Sequence, residues 1–204
     1  MMKPTEILSE EHRVIEQVLD CLEKIAHNCT AEGRLDKTSA EQALDFFRNF
    51  ADRCHHGKEE THLFPAMEAK GFSREGGPTG VMLHEHEQGR AHVRGMADAV
   101  EEAAAGKSKA IAQFVTHARG YVNLLREHIE KEDHCLFTMA NQTLTANDQE
   151  KLMDAFENVE HEQMGLGIHA KFLNLADELA DRFGVSRTVG NRSVCGCHHE
   201  TCGT

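Results

Sequence analysis

The sequence predicts an all-α protein: an up-down four-helix bundle with an added fifth C-terminal helix and an irregular tail containing Cys and His. Three observations lead there. Apolar residues recur at steps of three and four along five long segments, and no segment sustains the alternation of a strand. Short capping or Gly-rich connections separate these segments, as they do between antiparallel neighbours in a bundle. The aromatic inventory of one Tyr, no Trp and ten Phe, with only three Pro, suits helices better than a β-sandwich core or a stacking platform.

Each element has its own punctuation. Helix one runs from about Thr5, where Thr5 and Ser9 offer capping hydroxyls, to about Asn28, and stops at Ala31-Glu32-Gly33. Helix two spans about Lys37 to Lys70, with Gly71 as a left-handed terminator and Pro65 expected to kink or divide it. The long connection from Gly71 to Thr79 leads into helix three, about Gly80 to Ala105, which ends at Gly106. Helix four covers about Ser108 to Asn141. Helix five covers about Thr145 to Phe183, with an irregularity expected around Gly165 and Gly167. Residues 1–183 therefore read as the bundle domain and residues 184–204 as the tail.

A chain of 204 residues is long enough for one full core. Its 22 basic and 34 acidic residues give a net charge of −12, with no block of Lys or Arg, which argues against nucleic acid or an anionic membrane as a partner. Met1-Met2-Lys3-Pro4-Thr5-Glu6 opens no apolar run, so neither a signal peptide nor a membrane span is expected, and a cytoplasmic setting is. Cys21, Cys29, Cys54 and Cys135 stand singly, as reduced thiols do in such a setting. Fifteen His demand a chemical reason. Metal binding is the leading one.

A metal inside a bundle needs ligands on the apolar stripes, at about 100° of rotation per residue. His12 lies in the stripe of Leu8, Ile15, Leu19 and Leu22. His55 and Glu59 share the inward face of helix two, with His56 and Glu60 turned about 100° away. His128 and Glu132 repeat that pair on helix four. On helix three, Met82, His86, Val93 and Met96 fall together, which selects His86 over His84 and His92. Glu60 and Asp133 read as solvated, His62 as a rim residue or a support behind the ligands, and His117 as belonging to another layer. The four imidazoles and two carboxylates exceed one tetrahedral zinc and suit two metals about 3.5 Å apart. His161 aligns with Ile168, Phe172 and Leu179 and is a further candidate ligand, with packing as the alternative. Tyr121 reads as core, and the tail Cys195-Gly196-Cys197-His198-His199 with Cys202 reads equally as a soft-metal site or as incidental thiols, with a redox pair at Cys195 and Cys197 as a third choice.

The order His12, His55-x-x-x-Glu59, His86, His128-x-x-x-Glu132, in the contexts Glu11-His12, His55-His56-Gly57-Lys58-Glu59-Glu60, Glu85-His86-Glu87 and His128-Ile129-Glu130-Lys131-Glu132-Asp133, resembles the hemerythrin-like, or HHE cation-binding, family. The resemblance covers roughly residues 5 to 140. It implies a bundle holding two iron ions with an oxo or hydroxo bridge, open to dioxygen, peroxide or nitric oxide, in sensing or detoxification under oxidative or nitrosative stress. Peroxidase- or catalase-like turnover and simple binding both stay open, as do iron storage, iron delivery for repair of iron-sulfur centres, and a purely structural metal. Helix three departs from the oxygen carriers, which have His-x-x-x-His there, because Met82 stands four before His86. Those carriers place an Asp five residues after the last His, where Asp133 stands, but helical phase favours Glu132.

Overall fold

Helices build four rods in the computed structural model, which describes residues 2–159 and 167–188. The first rod is α1 (Pro4–Glu32). The second is composite: α2 (Lys37–Phe46), the wide-turned π1 (Phe47–His56) and π2 (Glu59–Leu63), and α3 (Phe64–Glu68). The third is α4 (Pro78–Ala104). The fourth is α5 (Ser108–Lys131) followed by π3 (Glu132–Leu136) and α6 (Phe137–Thr143). α7 (Ala146–Asn158) and α8 (Ile168–Phe183) complete the described chain, and no strand occurs among the described residues. α1 and α4 each touch both α5 and the second rod, which closes the bundle. α8 lies against α1 and α2, and α7 against α1 and π2.

Local chemistry sets the ends of the rods. α1 starts at Pro4, a residue suited to the first helical turn, and the Glu6 carboxylate accepts the Lys3 N–H at 2.7 Å. The hydroxyls expected to cap it reach elsewhere: Thr5 donates to Asn141 at 3.1 Å and Ser9 to Asp133 at 2.8 Å, tying α1 to the fourth rod. α1 also continues a turn past Asn28, to Glu32. Gly71 has φ of 100° and ends the second rod as its position predicts. Pro65 falls in the first turn of α3 and divides that rod, where its missing N–H costs least. The fifth segment is described as two pieces, because residues 160–166, including Gly165, lie outside the described residues.

Two apolar clusters fill the bundle. The larger gathers Ile15, Leu19, Phe47, Phe114, Tyr121 and Phe172 with their neighbours. The smaller gathers Leu8, Leu63, Phe64, Met82, Leu136 and Phe156. Along every rod the chain passes from one cluster to the other through a buried polar stretch: His12 between Leu8 and Ile15, Glu59 between Ala51 and Leu63, His86 between Met82 and Val93, Glu132 between Leu125 and Leu136. A polar layer is thus clamped between two oily ones. Among the described residues no helix is long and apolar enough to cross a membrane.

Candidate metal centre

Seven buried side chains meet in that layer. His12, His55, Glu59 and Glu132 form one group, and His56, Glu59, His86 and His128 form a second, the ligating atoms of each lying within 4.8 Å of one another. Glu59 spans the two groups: its Oε1 is 3.6 Å from His55 Nε2 and its Oε2 is 3.5 Å from His86 Nε2. Glu132 does the same through a single oxygen, since Oε2 lies 3.2 Å from both His12 Nε2 and His128 Nε2. His86 Nε2 and His128 Nε2 are 3.1 Å apart.

The inner atoms lack ordinary partners. Both carboxylate oxygens of Glu59, both of Glu132 and His12 Nε2 are buried without a hydrogen bond among the described residues. A buried carboxylate left so costs several kcal/mol unless it is protonated or bound by a cation. Imidazole nitrogen and carboxylate oxygen form a donor set for iron, zinc or manganese. The residues present therefore fit a metal-binding layer.

Outside the layer a regular scheme holds the rings. His12 Nδ1 donates to Asp133 at 2.9 Å, His55 Nδ1 to Glu11 at 3.0 Å, His86 Nδ1 to Glu60 at 2.7 Å and His128 Nδ1 to Glu85 at 2.9 Å. Each such bond fixes the tautomer that turns the Nε2 lone pair inward. Every acceptor stands on a different rod from its imidazole: first to fourth, second to first, third to second, fourth to third. The four links form a closed ring around the bundle. Each acceptor is in turn held by a base one to four residues beyond the histidine it serves: Arg13 on Asp133, Lys58 on Glu11 at 2.5 Å, Arg90 on Glu60 at 2.7 Å and Lys131 on Glu85. His56 uses Asp52 of its own rod at 3.4 Å, with Arg90 behind that carboxylate at 2.9 Å.

The charges in the layer work against one another. Burial, then the Glu132 charge, pushes the Glu59 carboxyl well above its usual range, whereas burial of Glu132 is outweighed by His128 and His12, which hold it well below. Burial likewise drives His86 well below its ordinary value, and drives His55 down to about 4 against the pull of Glu11. Burial opposes the charged form of His128 too, but Glu132 and Glu85 prevail and raise it to about 9. The Glu59 carboxyl and the His55 and His86 imidazoles are thereby pushed toward their neutral forms; a cation in the layer would favour the ionised carboxylate and bind the imidazole lone pairs.

All six residues selected by phase, His12, His55, Glu59, His86, His128 and Glu132, are brought together, and a seventh joins them. His56, expected to face away, is buried, and its ring stacks on His86 at 3.8 Å between centroids. The wide turn is the reason. In π1 the N–H of Gly57 bonds the carbonyl of Asp52, five residues back, so each step rotates the chain less than α-geometry does, and over the length of π1 the phase slips enough to bring His56 to the buried side beside His55. The doublet His55-His56 was the available signal. Glu60 and Asp133, expected to be solvated, are partly buried acceptors for inner-layer histidines. His62 lies 6.5 Å from the Phe156 ring, outside the layer, and His117 pairs with His92. Tyr121 is buried against Phe47 at 4.8 Å. His161 and the Cys195–Cys202 tail lie outside the described residues.

A cavity of about 150 Å³ between π1 and α4 reaches this layer, touching His56 and His86 and walled by Tyr121, Gly89 and Val93, with Arg90 beside it.

Fold and layer together define a metal-binding helical bundle. The sequence model of the hemerythrin HHE cation-binding domain matches residues 3–140, and the chain belongs to that family. Uncharacterized protein Rv1995 of Mycobacterium tuberculosis and uncharacterized protein Mb2018 of Mycobacterium bovis are similar to it. Each is 24% identical over 176 residues, which cover 86% of this chain and 67% of the relative. No solved structure matches the chain.

Proposed function

We propose that the protein is a non-haem di-iron protein that binds or reduces a small oxidant, dioxygen, peroxide or nitric oxide, in sensing or detoxification. The observation that carries this reading is the pairing of two imidazole groups across two orphaned carboxylates, Glu59 and Glu132, in one buried layer. His12 and His55 would hold one iron and His56, His86 and His128 the other, with Glu59 and Glu132 offering a carboxylate to both groups. Bound iron supplies the redox and ligand-binding chemistry.

The chain's own residues do the rest. The two apolar clusters exclude water from above and below. The outer carboxylates orient each imidazole, and the cavity beside His86 and Tyr121 is wide enough for a diatomic or triatomic guest and too small for an organic substrate.

The test is metal analysis and optical spectroscopy of iron-grown protein before and after air, peroxide and nitric oxide. About two irons per chain with bands that respond to at least one of these oxidants are expected. One tightly held zinc with no iron, or iron whose spectrum ignores all three, would overturn the reading.

A further inference from the structure

A second pair of imidazoles lies between α4 and α5, away from the layer. His92 and His117 face each other with their Nδ1 atoms 3.3 Å apart and their ring planes at 68°. His92 is six residues beyond His86, about 9 Å along the helix, and His117 is eleven before His128, about 16 Å. Neither shares a ligand or an acceptor with the buried centre.

Each ring is seated on a glycine of the opposite helix. A Cβ at Gly95 would stand 2.4 Å from His117 Nε2, and one at Gly120 would stand 2.3 Å from His92 Cε1. No other residue type fits at either position without moving a ring. The two glycines and two histidines make a reciprocal notch, half open to solvent. Unlike the histidines of the centre, neither ring has a carboxylate acceptor among the described residues. Burial, then the neighbouring His117, lowers the pKa of His92, which favours the neutral, lone-pair-bearing form.

We propose that His92 and His117 form a second metal site, open to water, for a borderline divalent ion such as zinc. Zinc sits about 2.0–2.1 Å from imidazole nitrogen. An ion at that distance from two nitrogens 3.3 Å apart subtends an angle of about 107°, close to the tetrahedral value. Water fills the remaining positions, in keeping with the half-exposed notch. An all-nitrogen protein donor pair disfavours magnesium and calcium, which take oxygen ligands. A hydrogen bond between two neutral imidazoles has a similar separation, so the test must read the ion.

Zinc is titrated into the iron-loaded full-length protein, and the thermal unfolding midpoint and bound zinc are followed. An ion joining α4 to α5 should raise the midpoint by about 3–6 °C at saturation. H92Q and H117Q should lose that rise while keeping their iron, and H84Q, altered at an exposed histidine of the same helix, should retain it. G120A keeps both imidazoles but displaces the His92 ring, and should lose the rise too. Should G120A fail to fold, the two glutamine variants decide alone. Zinc held by the tail cysteines adds equally to every variant's stoichiometry. The same midpoint response in wild type, H92Q and H117Q, or no response in wild type, would overturn the proposal.

Discussion

Glu59 and Glu132 occupy the same place in two separate wide turns: the Glu59 carbonyl accepts the N–H of Phe64, and the Glu132 carbonyl accepts that of Phe137, each five residues on. Both turns begin at the carboxylate that spans the two imidazole groups. Turns of this kind are rare in helices and concentrate at functional sites. E59Q and E132Q should each lose most of the iron, measured per chain after gel filtration. E60Q, which alters only the acceptor behind His86, should retain two irons with affinity reduced about 10-fold. Equal loss in all three variants would contradict the separation of inner from outer carboxylates.

His56 and His84 give a contrast that helical phase alone misjudges. H56A should lose iron from the three-imidazole group, taking the stoichiometry toward one and changing the visible spectrum. H84A, at an exposed position, should match wild type in both. Full occupancy and an unaltered spectrum in H56A would remove His56 from the centre.

Val93 lines the cavity that touches His56 and His86. V93F should fill much of that space, slowing nitric oxide binding in stopped-flow traces while leaving iron content unchanged. Overpacking should cost about 1–3 kcal/mol in urea unfolding. An unchanged association rate would show that ligands enter elsewhere.

Acid stability has one separable contributor at the start of α7. Lys70, at 2.7 Å, and then Thr145 hold the Asp148 carboxyl below its ordinary range. A carboxyl depressed in the folded state adds stability above its unfolded value, about 3.9, and loses it as pH falls toward the folded value. D148N should therefore be less stable than wild type at pH 7, with the gap closing below about pH 4. Urea midpoints at several pH values check this. A constant gap would mean that capping geometry, rather than charge, makes the difference.

The α-helical stripes were legible because His12, His86 and His128 lie on regular helix, where rotation per residue is fixed. His56 was not, because π1 changes that rotation over the stretch that holds His55 and His56. No hydrophobic pattern encodes a wide turn before the chain is packed. The outer acceptors were illegible for another reason. Glu11, Glu60, Glu85 and Asp133 each serve a histidine on a different rod, and pairings between rods leave no periodic trace within one segment.

The closed ring of histidine–carboxylate links acts as a hoop around the bundle at the height of the candidate centre. A hoop fixes girth. For the layer to dilate around a larger ion, at least one of the four charge-assisted links must stretch or break, and each is anchored by a basic side chain. The clusters above and below resist the same expansion because close-packed interiors compress and swell little. Any selection among cations by radius would therefore rest with Asp133, Glu11, Glu60 and Glu85, four residues outside the proposed ligand set, through the circumference they impose.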